Sequence, residues 1–161
     1  SIDNLAGVLK EQGKLEEAEA LSRALSTFKL ALVLRGQDKL EEAEAQFRQA
    51  RAGFEATLGA THGYTLSSID NLAGVLKEQG KLEEAEALFR QELEGSEATF
   101  GTMDRNTINC RGNIGSVLMQ RPGQQEEGTA MVRDALAALS APPHSLPASH
   151  RWMTKFSALL A

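Results

Sequence analysis

A single cysteine, Cys110, in 161 residues excludes a disulfide framework and a cysteine-rich metal site. Aromatic and β-branched runs of the kind that build sheets are few, and what remains is dominated by alanine, leucine, glutamate, glutamine and lysine, a composition for helices. There is no basic surplus. The net charge of −5 and a pI near 5.3 provide no broad positive field, so neither nucleic acid nor anionic lipid is an expected partner, and the acidity reads as solubility. No apolar run approaches the roughly 20 residues needed to span a bilayer, so no membrane partner is expected either. A reducing, soluble setting such as the cytoplasm is the expectation. Neither an initiator methionine nor a signal peptide opens the chain, and Ser1 matches Ser68 inside a repeat, so the sequence reads as a segment of a longer array.

What is present is repetition. The heptapeptide Lys-Leu-Glu-Glu-Ala-Glu-Ala occurs at Lys14 to Ala20, Lys39 to Ala45 and Lys81 to Ala87, and the block Ser1 to Leu21 is identical to Ser68 to Leu88. A repeat of this length implies stacked supersecondary units rather than one closed domain. The period is 42 residues from Lys39 to Lys81 but only 25 from Lys14 to Lys39, so the first unit is 17 residues short. The units are 1–26 (shortened), 27–64, 65–106 and 107–140, followed at 141–161 by a proline-rich linker and a terminal or capping helix.

Apolar residues at helical spacing predict the elements. Ser1 to Gln12 reads as a helix ended by Gly13. Lys39 to Leu58 carries Leu40, Ala43, Phe47, Ala50 and Phe54 on one face and stops at Gly59, with His62 at the tip of the next loop. The most regular unit has helices from about Thr65 to Gln79 and from Leu82 to Phe100. Thr107 to Gln120 and Gln125 to Leu139 follow, separated by Arg121-Pro122-Gly123. After Pro142, Pro143 and Pro147, Ala148 to Leu160 forms the last helix, with Trp152, Phe156, Leu159 and Leu160 together. The small residue shared by the heptapeptides, Ala18, Ala43 or Ala85, lets two helix axes approach closely.

Between Lys14 and Arg35 there is neither glycine nor proline. This predicts one continuous helix of 22 residues, about 33 Å long. The alternative is a break at Ser26-Thr27 with Ser26 as N-cap. A continuous helix would leave Phe28, Leu30, Leu32 and Leu34 without their usual cover, and a second copy exchanging elements could supply it, which makes a homodimer a possible state.

In the regular unit Leu72, Ala73, Leu76, Gly80, Ala85 and Phe89 resemble the tetratricopeptide repeat, a pair of antiparallel helices with small and large residues at fixed places. The 42-residue period, with Leu58-Gly59-Ala60-Thr61-His62, Asn71-Leu72-Ala73 and Gly80-Lys81-Leu82-Glu83-Glu84-Ala85, resembles the longer repeats of kinesin light chains and related arrays. The resemblance covers nearly the whole chain. It implies an all-α, right-handed solenoid whose first helices line a concave groove for an extended peptide of a partner protein. Carried over by position, the groove residues are Asn4, Asn71 and Asn113, with Lys29 in the equivalent place of the irregular unit, and Lys10, Arg35 and Lys77 six residues on. An asparagine there can both donate to and accept from a peptide backbone. Phe28 and Leu32 stand where the regular unit has Asp70 and Gly74, so the groove is expected to be apolar and partly filled at that point. The version of the fold that clamps a terminal carboxylate with lysine and asparagine is disfavoured, because its early positions are here Asp3, Phe28, Asp70 and Gly112.

Reactive constellations are missing. His62, His144 and His150 lie in separate loops without metal-ligand spacing and read as solvated residues. The pairs Glu16-Glu17, Glu41-Glu42 and Glu83-Glu84 recur on exposed helix starts, unlike desolvated acid–base carboxylates. No phosphate loop occurs, and Cys110 reads as a packing residue. The expectation is a non-enzymatic module without cofactor or metal, a scaffold or adaptor binding a peptide. A self-assembly element acting through residues 14–36 is the alternative.

Overall fold

The computed structural model describes residues 2–12 and 14–161, with the side chains of 2, 3 and 9–11 outside the description. Gly13, expected to end the first helix, therefore lies outside the described residues, as does the side chain of Lys10. Eight helices and no strand are found among the described residues. They fall into two compact units, 1–79 and 80–161.

The first unit holds α1 (Ile2–Glu11), α2 (Leu15–Gly36), α3 (Leu40–Leu58) and α4 (Gly63–Glu78). Its central fact is that α2 is continuous over 22 residues. Ser26 does not cap a new helix; its hydroxyl donates to the Ser22 carbonyl at 3.0 Å, one turn back within the same helix. The N-terminal part of α2 pairs with α1, and α3 then packs along α2. Leu21, Ala24, Ala50 and Phe54 form the core between α2 and α3. The two axes are close there, since a Cβ placed on Gly53 would lie 2.8 Å from that of Ala24.

The expected want of cover on α2 is half met. Leu34 is buried, and Phe28 turns onto α3, its ring 5.5 Å from Phe47 and 5.9 Å from Phe54 in edge-on contacts. Phe28 is thus a core residue of the α2–α3 pair instead of a groove filler. Leu30 and Leu32 stay open, 48% and 42% exposed.

The second unit holds α5 (Leu82–Phe100), α6 (Arg105–Leu118), α7 (Gln125–Ser140) and α8 (Arg151–Leu160). Its core joins Ile108, Val132, Ala135, Leu139, Met153 and Phe156, so α8 closes over α6 and α7. The last helix starts three residues later than expected, because residues 148–150 form a turn that ends in the cap His150.

From α3 onward two kinds of helix start alternate. α2, α3, α5 and α7 have no side-chain cap but carry Glu16-Glu17, Glu41-Glu42, Glu83-Glu84 and Glu126-Glu127 in their first turns, where acids favour the positive end of the helix. α4, α6 and α8 are capped by His62, Asp104 and His150, whose side chains accept from the amides of Tyr64, Asn106 and Trp152. The histidines are accordingly not solvated bystanders: His62 and His150 are caps, and His144 Nε2 bonds the Met103 carbonyl at 2.8 Å. α3 and α5 close on Gly59 and Gly101, with φ of 94° and 90°, the region where a glycine stop carries no Cβ penalty.

Candidate functional site

Of the sequence-derived groove residues, the first unit brings Arg35, Asn71 and Lys77 to one place. Arg35 sits in the last turn of α2, which sends its side chain toward α4. On α4, Asn71, Gly74 and Glu78 are spaced by three and four residues and so share one face. The guanidinium lies along that face. Its Nη1 donates to Asn71 Oδ1 at 3.3 Å, its Nη2 to Glu78 Oε1 at 2.5 Å, and its Nε lies 3.2 Å from both Glu78 oxygens. Such a fork on a carboxylate fixes orientation as well as position. Gly74 provides the room: a Cβ there would stand 2.9 Å from Arg35 Nη2.

Asn71 is itself oriented, with Nδ2 donating to the Ser67 carbonyl at 2.8 Å. Its remaining amide hydrogen and the unspent guanidinium hydrogens of Arg35 are the donors this face can offer a ligand. Lys77 is half-buried next to them. Burial lowers its pKa from the ordinary 10.5; Glu78 pulls it back up, Arg35 lowers it further and Asp70 raises it. The patch is therefore a set of held hydrogen-bond donors in which Glu78 already offsets the charge of Arg35, suited to carbonyl oxygens or to a carboxylate that competes with Glu78.

The other described candidates have no contact with Arg35 or Asn71 among the hydrogen bonds of this cluster. Asn4 is exposed on α1, and Lys29 is exposed on α2, six residues or about 9 Å before Arg35. In the second unit Asn113 is only 2% exposed; its Oδ1 accepts from Lys155 on α8, whose ammonium also stands 5.3 Å from the Phe156 ring. Phe156 fills the space over Gly112, where any Cβ would collide with it. Asn113 thus serves the α6–α8 contact. Glu78 went unread in the sequence, and Gly74 was read only as the groove position that Leu32 replaces; Glu78 lies 43 residues from Arg35, one more than the repeat period, and that offset is the signal that would have found it.

Cys110 is buried and its Sγ donates to the Phe89 carbonyl. Among the described residues, no group of three His, Cys, Asp or Glu is placed to hold a metal ion. No described helix is long and apolar enough to cross a membrane.

One model of the tetratricopeptide repeat matches residues 21–98 and again 67–141, and a second model of the repeat matches residues 1–26. Among solved structures, the chain is similar to a Podosopora anserina protein described as a kinesin light chain with nearly identical TPR-like repeats, at 20% identity and a TM-score of 0.64 over 96% of this chain and 79% of that one. A second structure under that description matches at 20% identity and a TM-score of 0.62, over 96% and 80%. BtubC (BKLC) from P. vanneervenii matches at 17% identity and a TM-score of 0.70, over 99% and 68%. At these identities the likeness is one of fold. No curated protein matches the chain.

Proposed function

The chain belongs to the tetratricopeptide repeat family, and from that premise we propose that it is a scaffold or adaptor holding a peptide segment of a partner protein against α2 and α4. Repeats of this family mediate protein–protein interaction and are not catalytic, which supports a binding role without chemistry. The observation that carries the reading is the Arg35 fork, held between Asn71 and Glu78 on an adjacent helix with Lys77 beside it. A pre-oriented donor set loses little freedom when a ligand arrives, so more of each new hydrogen bond appears as affinity. The occupant is an extended peptide whose backbone carbonyls or acidic side chains meet Arg35, Asn71 and Lys77. The cytoplasm is its expected setting.

The test is a random peptide array probed with the whole chain, followed by titration of the captured peptides against variants. Asn71→Ala and Lys77→Glu should each weaken capture by about tenfold, the worth of a hydrogen bond or two, while the far-ultraviolet spectrum stays helical. Capture that both variants leave unchanged would remove these residues from the site.

A further inference from the structure

The outward face of α2 is unusual in two independent ways. Leu30 and Val33 correspond, one period of 42 residues earlier, to Leu72 and Val75 of α4, and two periods earlier to Ile114 and Val117 of α6. Those four counterparts are fully buried, whereas Leu30 is 48% and Val33 56% exposed. The difference has a mechanical origin. α4 and α6 pack against the helix that precedes each of them, α3 and α5. The segment preceding the C-terminal half of α2 is the N-terminal half of the same straight helix, which cannot fold back on it.

The second peculiarity is the order of residues along the exposed stripe. Leu15 and Val33 are 18 residues apart, five turns at about 3.6 residues each, so they project in the same direction. Between them on that face lie Glu19, Ser22, Ser26 and Lys29, all exposed. The order apolar, acid, serine, serine, base, apolar is antisymmetric about residue 24. Turned end for end, the stripe sets Leu15 against Val33, Glu19 against Lys29 and Ser22 against Ser26, each pair occurring twice about a two-fold axis. The serines are small enough to let two axes come within the usual 8–10 Å. Both charged pairs are attractive in this orientation, and a parallel pairing would instead set Glu19 on Glu19 and Lys29 on Lys29.

From the exposed apolar ends and the antisymmetric charges we infer that this face is an interface with a second copy of the chain, formed by two α2 helices packed antiparallel about residue 24. Each copy then covers Leu15 and Val33 of the other, apolar surface that the continuous helix leaves in water. The contact runs about 27 Å, from Leu15 to Val33, and an interface of this modest size implies a micromolar dimer in concentration-dependent exchange with monomer. No helix is exchanged between copies. The inference does not rest on the peptide-binding reading, because the two surfaces use different residues.

The experiment is sedimentation equilibrium on the whole chain over a wide concentration range, with circular dichroism to confirm that each surface variant stays folded. Wild type should pass reversibly from monomer to dimer, and Val33→Arg should remain monomeric. Glu19→Lys and Lys29→Glu each convert two attractive pairs to repulsive ones and should weaken dimerisation by about tenfold. The double variant E19K/K29E restores opposite charges and should return the constant to within about threefold of wild type. A wild type that is monomeric throughout overturns the inference. So does a dimer indifferent to Glu19→Lys and Lys29→Glu, as one formed by exchanging helices would be, or a double variant as weak as the single ones.

Discussion

Arg35 is held by an acid of its own chain, and this sets what a ligand must do. A peptide carboxylate reaching the guanidinium competes with Glu78, which already accepts from Nε and Nη2. Glu78→Gln should therefore strengthen capture of acidic peptides severalfold, by removing a competing charge worth about 1 kcal/mol, and fluorescence anisotropy with acidic peptides from the array would show it. Weaker capture would mean that Glu78 orients Arg35 more than it competes for it. Lys77 adds a pH dependence whose sign is fixed by burial. Its folded pKa lies below the ordinary 10.5, so between the two values the unfolded chain binds the extra proton and stability rises with pH. Below the folded value the cost of burying the ammonium is present in full. Lys77→Met should thus raise the urea midpoint at neutral pH, and its advantage over wild type should shrink as pH climbs toward 10.5. A difference that stays constant with pH would show that the amine is not desolvated. Lys77 was legible as a candidate from its place in the repeat, and Glu78 is its neighbour in the chain, but Arg35 reaches them from α2, 43 residues before Glu78, so the combined field was not legible.

At the scale of elements, α2 governs the first unit. The absence of glycine and proline made its continuity readable, and the structure shows no break at Ser26. Ser26→Pro should cost about 3 kcal/mol by removing a backbone bond and clashing with the preceding turn. Ala24→Leu should cost about 1–3 kcal/mol, because Gly53 of α3 approaches closely there. Chemical denaturation followed by circular dichroism reads both, and a neutral Ser26→Pro would argue for a flexible joint. What the pattern of apolar residues missed is the direction of Phe28. Its place in the repeat, equivalent to Asp70, put it on the groove side by resemblance, yet the rings of Phe47 and Phe54 draw it to α3. The caps were missed for a different reason. Histidine is not among the usual capping residues, although Asp104 holds the position 42 residues after His62 and caps in the same way. His62→Asp should be tolerated, and His62→Leu should lower stability by about 1 kcal/mol.

At the scale of the molecule, the helices of each unit pack on their neighbours in sequence, and stability is then expected to be local to those neighbours. In the second unit α8 covers Ile108, Val132 and Leu139. Ending the chain at residue 150 would return those side chains partly to water, at about 1.5–3 kcal/mol for each one fully uncovered. The urea midpoint should fall, and hydrogen exchange in α6 and α7 should quicken more than in α2 and α3. Equal change in both units would mean that stability is shared across the chain and not local to neighbours.

The sequence by itself determined the repeat, the helix positions to within a few residues and the family, because these follow from periodicity and turn residues that act over a few neighbouring positions. Its 25-residue first interval also foretold the uninterrupted α2. Only the tertiary structure decided which side chains meet. It directed Arg35 onto Asn71 and Glu78, enclosed Asn113 beneath α8, and left Leu30 and Val33 in water while their counterparts were buried. The physical reason is the same in each case. Residues in equivalent places of a repeat have the same local pattern but different packed neighbours, and partners 36 to 43 residues away are chosen by how helices stack.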